Sequence, residues 1–304
     1  MKGKKIVSTL LALLLFAGLP VSALADTWDI SKGDIAVNAG SGGQTVTQGG
    51  GAAVEDSAPV ITGSSTENTL TIKAESGQTA NVTLSGANID VSGKGKAAVS
   101  TNGEGNVSIE LDGDNTLKSA TNHAGLEKNN GGSLTIADEN KNGKLTAKGG
   151  DYGAGIGGGW RGSGSDITIS GGEVNATGGV NGAGIGGGCY GYGNNITVSG
   201  DAKLKVQGGV EDDIDGAGAG IGNSGSSDER AIPVTGAEVE PDTSGLTTNG
   251  SIEYYAPGAD MEKDKPEKTT VGTLSPQEKP IEPIEPAVPE QPEAERGADA
   301  PSTA

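Results

Sequence analysis

Cysteine and histidine are almost absent from this chain of 304 residues, which contains only Cys189 and His123. One cysteine excludes an intrachain disulfide, and zinc sites need several Cys or His ligands. A Ser-His-Asp or Cys-His catalytic arrangement would have to use His123, for which we expect an ordinary loop position before Ala124 and Gly125. Cys189 is expected in a partly exposed turn, as a bystander thiol without a basic neighbour. We therefore assign no catalytic residue.

Aromatic residues make up 3% of the chain, whereas glycine occurs 55 times. The core therefore differs from an ordinary globular core of Phe, Leu and Trp. Collagen is excluded because the glycines form clusters and do not occupy every third position. Without a disulfide, an exported chain of this composition needs many backbone hydrogen bonds or a bound metal for its stability.

Long apolar runs are absent except for residues 6–19, which follow three lysines and precede Ala23-Leu24-Ala25. This combination predicts a secretory signal peptide over residues 1–25. The run is shorter than the ~20 apolar residues of a membrane-spanning helix and is interrupted by Gly18. We expect a secreted, extracellular protein whose mature chain does not insert into a membrane. Association with the cell wall is compatible with this expectation.

Positive charge is also scarce. After removal of residues 1–25, 18 basic residues face 40 acidic residues, which gives a net charge of about −22. Nucleic acids and anionic membranes select for Lys and Arg, so neither is expected as a partner. The acidic charge is typical of a protein that stays soluble outside the cell.

Repetition dominates the rest of the sequence. The segment GAGIGGG occurs at Gly153–Gly159 and again, 29 residues later, at Gly182–Gly188, with a degenerate copy at Gly216–Gly222. Repeats of 20 to 50 residues indicate stacked supersecondary units. The letters G-x-G-x-x-G within the first copy do not predict a nucleotide site, because no strand–turn–helix context surrounds them.

Each repeat reads as a strand, a turn, a second strand, another turn and a short glycine-rich third strand. The third strand has weaker forms at Lys96–Ser100 and His123–Glu127. Five apolar residues open the first strands of successive repeats: Val82, Val107, Leu134, Ile167 and Ile196. Stacking places each strand beside its copy about 4.8 Å away.

This pattern predicts an all-β fold, a right-handed parallel β-helix. A propeller needs longer repeats, a sandwich needs hairpins, and the leucine-rich pattern is absent. We expect N-terminal turns and a cap over residues 26–80, the repeat helix over 81–232 and a C-terminal cap over 233–257. Residues 258–304 are rich in Pro and Glu and predict a disordered tail, either a spacer or a solubilising segment.

Calcium is the only cofactor that the sequence suggests, and none is required. Asp166 lies in a phrase, GSGSDITI, that matches most of a calcium-binding β-helix repeat. An acidic insertion before the third glycine copy offers clustered oxygen ligands from Glu211, Asp212, Asp213 and Asp215. The alternative is that these acidic loops are simply solvated.

Aromatic residues are the strongest indication of a binding surface. Four of the seven that follow residue 25 flank the two intact glycine copies: Tyr152, Trp160, Tyr190 and Tyr192. Together with Asn181 and Asn194, they suit a pyranose ring, which takes a flat apolar face beside hydrogen-bonding groups. The alternative is that the rings cover the glycine-rich corner as packing.

The segments HAGLEKNNGGSLTI and GAGIGGG, followed by DITISGGEVNATGG, resemble the Gly-rich β-helical regions of Firmicutes surface proteins. These regions are labelled carbohydrate-binding-domain proteins and are similar to the pectate-lyase-like β-helix superfamily. The resemblance implies a non-catalytic protein that binds a plant or host glycan, and we expect a monomer. The alternatives are an adhesin or stalk that binds a host surface protein, and a calcium-dependent polysaccharide lyase.

Overall fold

The computed structural model describes residues 25–227 and 232–274. The predicted signal peptide, apart from Ala25, and residues 275–304 of the predicted tail lie outside the described residues. Within them the fold is all-β, with one turn of 3-10 helix at Ile30–Lys32. No helix long and apolar enough to cross a membrane occurs in these two ranges.

The strands are short, as the alternation of apolar and polar residues between glycine-rich turns predicts. In chain order they are β1 (Thr27–Asp29), β2 (Ile35–Gly40), β3 (Gly43–Gln48), β4 (Val54–Glu55), β5 (Val60–Thr62), β6 (Ser64–Ser65), β7 (Leu70–Ala74), β8 (Thr79–Ser85), β9 (Asn88–Asp90), β10 (Val99–Asn102), β11 (Asn106–Asp112), β12 (Asp114–Lys118), β13 (Leu126–Lys128), β14 (Leu134–Ala137), β15 (Lys144–Lys148), β16 (Ile156–Gly157), β17 (Gly164–Ile169), β18 (Glu173–Thr177), β19 (Ile185–Gly186), β20 (Gly193–Val198), β21 (Lys203–Gln207), β22 (Ile221–Gly222), β23 (Ser226–Ser227), β24 (Pro233–Val234), β25 (Ser251–Tyr255) and β26 (Lys268–Val271).

Three sheets run along the molecule and form a β-solenoid of about 6 turns. Sheet one has the order β1-β5-β8-β11-β14-β17-β20, and sheet two has the order β22-β19-β16-β13-β10-β7-β2-β3-β4. Sheet three has the order β26-β25-β21-β18-β15-β12-β9-β6. Each coil passes from sheet one to sheet three, then to sheet two and on to the next strand of sheet one. The predicted parallel stack is confirmed.

The core consists of apolar ladders inside the coil. Leu134, Ile167 and Ile196 are register partners in sheet one, and all three are buried. Val82 pairs with Ile109, two residues beyond the predicted partner Val107. A shift of two residues keeps the same side chains facing inward, so periodicity alone did not determine this register.

The third side of the coil is built from glycine. Gly157 and Gly186 are register partners with φ of +135° and +136°, a backbone region that side chains rarely adopt. A Cβ on Gly155 would lie 2.6 Å from the Gly184 carbonyl oxygen. The glycine segment is therefore a tight structural wall, and its third copy is in register from Gly218 onwards, because Ile221 pairs with Ile185.

Additional strands extend sheet two at the N-terminal end of the stack and sheet three at its C-terminal end. At the N-terminal end, β3 pairs antiparallel with β2 and β4. At the C-terminal end, β25 adds a parallel strand beside β21, and β26 pairs antiparallel with β25. The predicted start of the tail at Gly258 is therefore wrong: residues 258–274 belong to the cap, because their strand satisfies the outer edge of β25.

Candidate carbohydrate-binding edge

One corner of the solenoid, between sheets two and one, carries all the aromatic side chains that are exposed in the described part of the chain. Trp160 is 49% exposed, Tyr190 42% and Tyr192 64%. We call the surface formed by Trp160, Arg161, Tyr190 and Tyr192 the aromatic edge. It lies on the loops that leave the two intact glycine segments.

Backbone contacts between successive coils fix this edge. Arg161 N donates to Cys189 O at 2.8 Å, which aligns Arg161 with Tyr190 and Trp160 with Cys189. Arg161 and Tyr190 both have left-handed φ values, +60° and +64°. Trp160 N donates at 2.8 Å to Asn122 O of the preceding coil. The loops are therefore held on both sides before any ligand arrives.

Arg161 lies against two rings of the edge. Its guanidinium carbon lies 4.5 Å from the centroid of the Trp160 ring and 5.9 Å from that of the Tyr190 ring. Stacking of this kind stabilises both partners, since the ring faces carry negative quadrupole charge. Arg161 is not among the carbohydrate-binding residues predicted from the sequence. The register of the two repeats, with Arg161 opposite Tyr190, was the signal that could have done so.

Tyr190 is anchored from below by a buried carboxylate. Its hydroxyl donates to Asp215 at 2.9 Å from Oδ1 and 3.0 Å from Oδ2. Cys189 Sγ lies 3.7 Å from the same carboxylate and is 1% exposed, so the expected partial exposure of Cys189 is wrong. Burial, followed by the Asp215 charge, raises the pKa of the thiol to about 12. This thiol is a hydrogen-bond donor and is not ionised near neutral pH.

The other predicted carbohydrate residues divide into two groups. Asn194 is exposed beside Tyr192, and Tyr152 is half-buried, with its pKa raised mainly by burial. Asn181 is 0% exposed, and its amide nitrogen donates to Asp215 O at 2.8 Å and Gly216 O at 2.9 Å. The assignment of Asn181 to a ligand contact is therefore wrong, because its side chain supports the acidic loop.

The predicted calcium ligands do not converge. Asp215 is buried under Tyr190, while Asp212 Oδ1 accepts from Ile214 N at 2.9 Å and Asp215 N at 2.7 Å and closes its own turn. Glu211 and Asp213 are exposed, and Asp166 accepts from the Asn195 amide of the next coil. Within residues 25–227 and 232–274, no three Asp, Glu, His or Cys side chains are grouped so that they would hold a metal ion.

His123 lies one coil before the aromatic edge, where it contacts Glu127. His123 Nδ1 lies 2.8 Å from Glu127 Oε2, which also accepts from Ala124 N at 3.1 Å. In the following coil the equivalent amide, Ala154 N, donates to Gly158 O at 3.0 Å. The Glu127 carboxylate therefore replaces the backbone of the glycine loop in a coil that lacks it.

A groove of about 720 Å³ lies at a different corner, between sheets one and three. Gly171 and Gly172 lie in its lining, and Lys141 forms an ion pair of 2.7 Å with Asp201, two coils away. Its lining residues include no aromatic side chain. The groove is a concave polar surface, but among the described residues exposed aromatic rings for stacking lie only at the aromatic edge.

Comparison with known proteins gives no relative for this chain. No protein-family model matches it, and neither does a curated protein or a solved structure.

Proposed function

We propose that this chain is a secreted or cell-surface protein that binds carbohydrate without catalysis, and that the glycan lies along the aromatic edge. The observation that carries the proposal is the exposure of Trp160, Tyr190 and Tyr192 on one corner. The other aromatic side chains described are buried or half-buried.

The chemistry of the edge suits a sugar. Ring faces take the C–H face of a pyranose, while Asn194 and Asp151 are exposed nearby and offer hydrogen bonds to hydroxyl groups. Repeating units about 4.8 Å apart present these groups in a row. Arg161 holds two of the rings in place, so little side-chain freedom is lost when a ligand binds.

The test is a glycan array with the mature chain, followed by titration of each positive glycan. Trp160→Ala and Tyr192→Ala should each weaken binding at least ~5-fold, since central aromatic anchors typically contribute more than ~1 kcal/mol. Val271→Ala is the matched control, because Val271 is also 64% exposed but lies on β26. Absence of any glycan signal, or equal binding by all three variants, would contradict the proposal.

Variants of the groove between sheets one and three separate the two surfaces. Lys141→Ala removes the ion pair with Asp201 and should leave glycan affinity unchanged. If it weakens binding while Trp160→Ala does not, the glycan lies in the groove.

The two alternatives from the sequence predict other results. Binding to a host protein without any glycan signal would favour the adhesin. A lyase would convert polygalacturonate into unsaturated products in the presence of Ca²⁺. An increase in ultraviolet absorbance would detect these products and favour this alternative.

A further inference from the structure

Asp56 is a buried carboxylate at the N-terminal end of the solenoid, directly after β4. It is 1% exposed. Its Oδ2 accepts from Trp28 Nε1 at 2.8 Å, and its Oδ1 accepts from Ala58 N at 3.1 Å. In the described part of the chain, no Lys, Arg or His side chain forms an ion pair with it. A buried carboxylate without a cation is costly, so Asp56 calls for a further partner.

The backbone nitrogen of Asp26 lies 3.3 Å from the same Oδ2 atom. Asp26 is also the first residue after the expected processing motif Ala23-Leu24-Ala25. Hydrolysis of the Ala25–Asp26 peptide bond by a processing peptidase adds one water molecule. Ala25 then ends in a carboxylate, and the nitrogen of Asp26 becomes an α-ammonium group.

We propose that processing after Ala25 creates the cation that Asp56 binds, so that the new N-terminus of Asp26 pairs with the buried carboxylate and locks the first strand in place. The proposal rests on processing at this bond and on no ligand. Before cleavage, Asp26 N is an amide with one hydrogen. After cleavage it is an ammonium with three, and charge-assisted hydrogen bonds are roughly twice as strong as neutral ones.

The consequence is a cap that is completed by maturation. Among the described strands, β1 forms the outer edge of sheet one and has β5 as its one neighbour. An outer strand with one neighbour opens readily and exposes the edge beneath it. Asp56 connects this strand, through Asp26 and Trp28, to the loop between β4 and β5. The precursor therefore has a weaker N-terminal cap than the mature chain.

The test compares three chains: one that begins at Asp26, the same chain with an acetylated N-terminus, and one that retains Ala25, which displaces the ammonium by about 3.8 Å. At pH 6 the first should have a Tm about 2–4 °C higher than the other two. Hydrogen exchange at Thr27–Asp29 should be slowest in it. At pH 10 the ammonium is deprotonated, so its advantage over the acetylated chain should disappear.

Asp56→Asn in all three chains supplies the control, since it removes the negative charge and should make the three melt together. Equal Tm values at pH 6 with Asp56 intact would overturn the proposal, and so would a difference that persists in the Asp56→Asn chains. If Asp56→Asn does not fold, the comparison between pH 6 and pH 10 decides alone. The intact mass of the exported protein checks the premise, because a mature chain that begins elsewhere also overturns the proposal.

Discussion

Burial makes the Cys189 thiol a poor nucleophile. Its thiol lies beneath the aromatic edge, 3.7 Å from Asp215, and burial raises its pKa to about 12. The thiolate is the nucleophile, so the native protein should react with iodoacetamide at pH 8 many-fold more slowly than the urea-denatured protein. Mass spectrometry of the alkylated chain measures both rates.

Asp215→Asn is the informative variant for this thiol. It removes the charge that is the second cause of the raised pKa but leaves the burial. Alkylation should accelerate modestly and remain slower than in the denatured chain. Equal rates in the native and denatured wild-type protein would contradict the buried position.

Tyr254 and Tyr255 are neighbours with opposite hydrogen-bonding situations. The Tyr254 hydroxyl is buried without a partner among the described residues, whereas Tyr255 donates to Glu253 at 2.8 Å. Tyr254→Phe keeps the ring under Lys268 and removes a desolvated hydroxyl, so the free energy of unfolding should be unchanged or rise by up to ~1 kcal/mol. Tyr255→Phe should lower it by ~0.5–1.5 kcal/mol. Urea denaturation measures both values.

The same pair predicts alkaline sensitivity. Burial raises the pKa of Tyr254, and it raises the pKa of Tyr255 to about 12. A pKa raised on folding contributes stability below the unfolded value of about 10, and that stability is lost as the pH rises further. The stability of the wild-type chain should therefore fall above pH 10, and less steeply in Tyr254→Phe. If the free energy of unfolding falls equally in both chains, titratable groups other than Tyr254 cause the alkaline sensitivity.

At the scale of single elements, the two-residue strands of sheet two depend on glycine. In Gly186→Ala, the new Cβ would overlap the Gly222 carbonyl oxygen, and φ is +136°. The variant should lose at least ~2–3 kcal/mol of unfolding free energy, the range of severe backbone effects. Gly42→Ala is the control, because a Cβ there meets nothing within 4 Å. Thermal unfolding distinguishes them, and equal Tm values would contradict the tight wall.

The strands were largely predictable from the sequence, because equivalent residues of successive repeats pair with one another in the sheets. Ile167 and Ile196 lie 29 residues apart, as do Gly157 and Gly186, and both pairs are register partners. The strand Lys268–Val271 was not predictable, since its neighbourhood of Pro, Glu and Lys is typical of a tail. That strand forms because β25 supplies a partner, which is a tertiary effect.

The candidate site was only partly predictable, for a similar reason. The repeat places Trp160 and Tyr192 next to the two glycine segments, and both side chains are exposed. The burial of Asn181 depends on the inserted loop that ends at Asp215, which folds over it from the next coil. Sequence spacing within one repeat carries no information about a neighbouring insertion.

For the whole molecule, calcium binding stays a prediction that solution measurement can decide. A ligand that binds only the folded state raises Tm by mass action. Millimolar Ca²⁺ should therefore raise Tm relative to a chelator if the acidic loop around Glu211 and Asp213 binds it, and Asp213→Asn should reduce the increase. Mg²⁺ is the control for screening of the acidic charge. An equal Tm in Ca²⁺ and in chelator would contradict calcium binding and favour the alternative that the acidic loop is simply solvated.

For the whole molecule, we predict that the covered ends of the solenoid prevent association between copies of the chain. Glu238 covers the edge of β22 by accepting from Gly220 N at 2.6 Å and Ile221 N at 3.0 Å, and β25 covers β21. A chain truncated after Gly225 loses both covers and exposes unpaired strand edges, which pair readily between molecules. Light scattering should show oligomers or aggregates, together with a lower Tm.

Truncation after Leu274 is the matched control, because it removes only residues 275–304 and retains the cap. We predict a monomer with a Tm within about 2 °C of the full chain, since residues 275–304 are predicted from their composition to be a disordered tail and changes that leave packed elements intact are usually worth less than ~0.5 kcal/mol. If the chain truncated after Gly225 is equally monomeric and stable, the parallel sheets tolerate an open end. The segment 232–274 would then need a role other than capping. If only the chain truncated after Gly225 aggregates, the covered strand edges prevent aggregation of this β-solenoid, and its acidic charge alone does not.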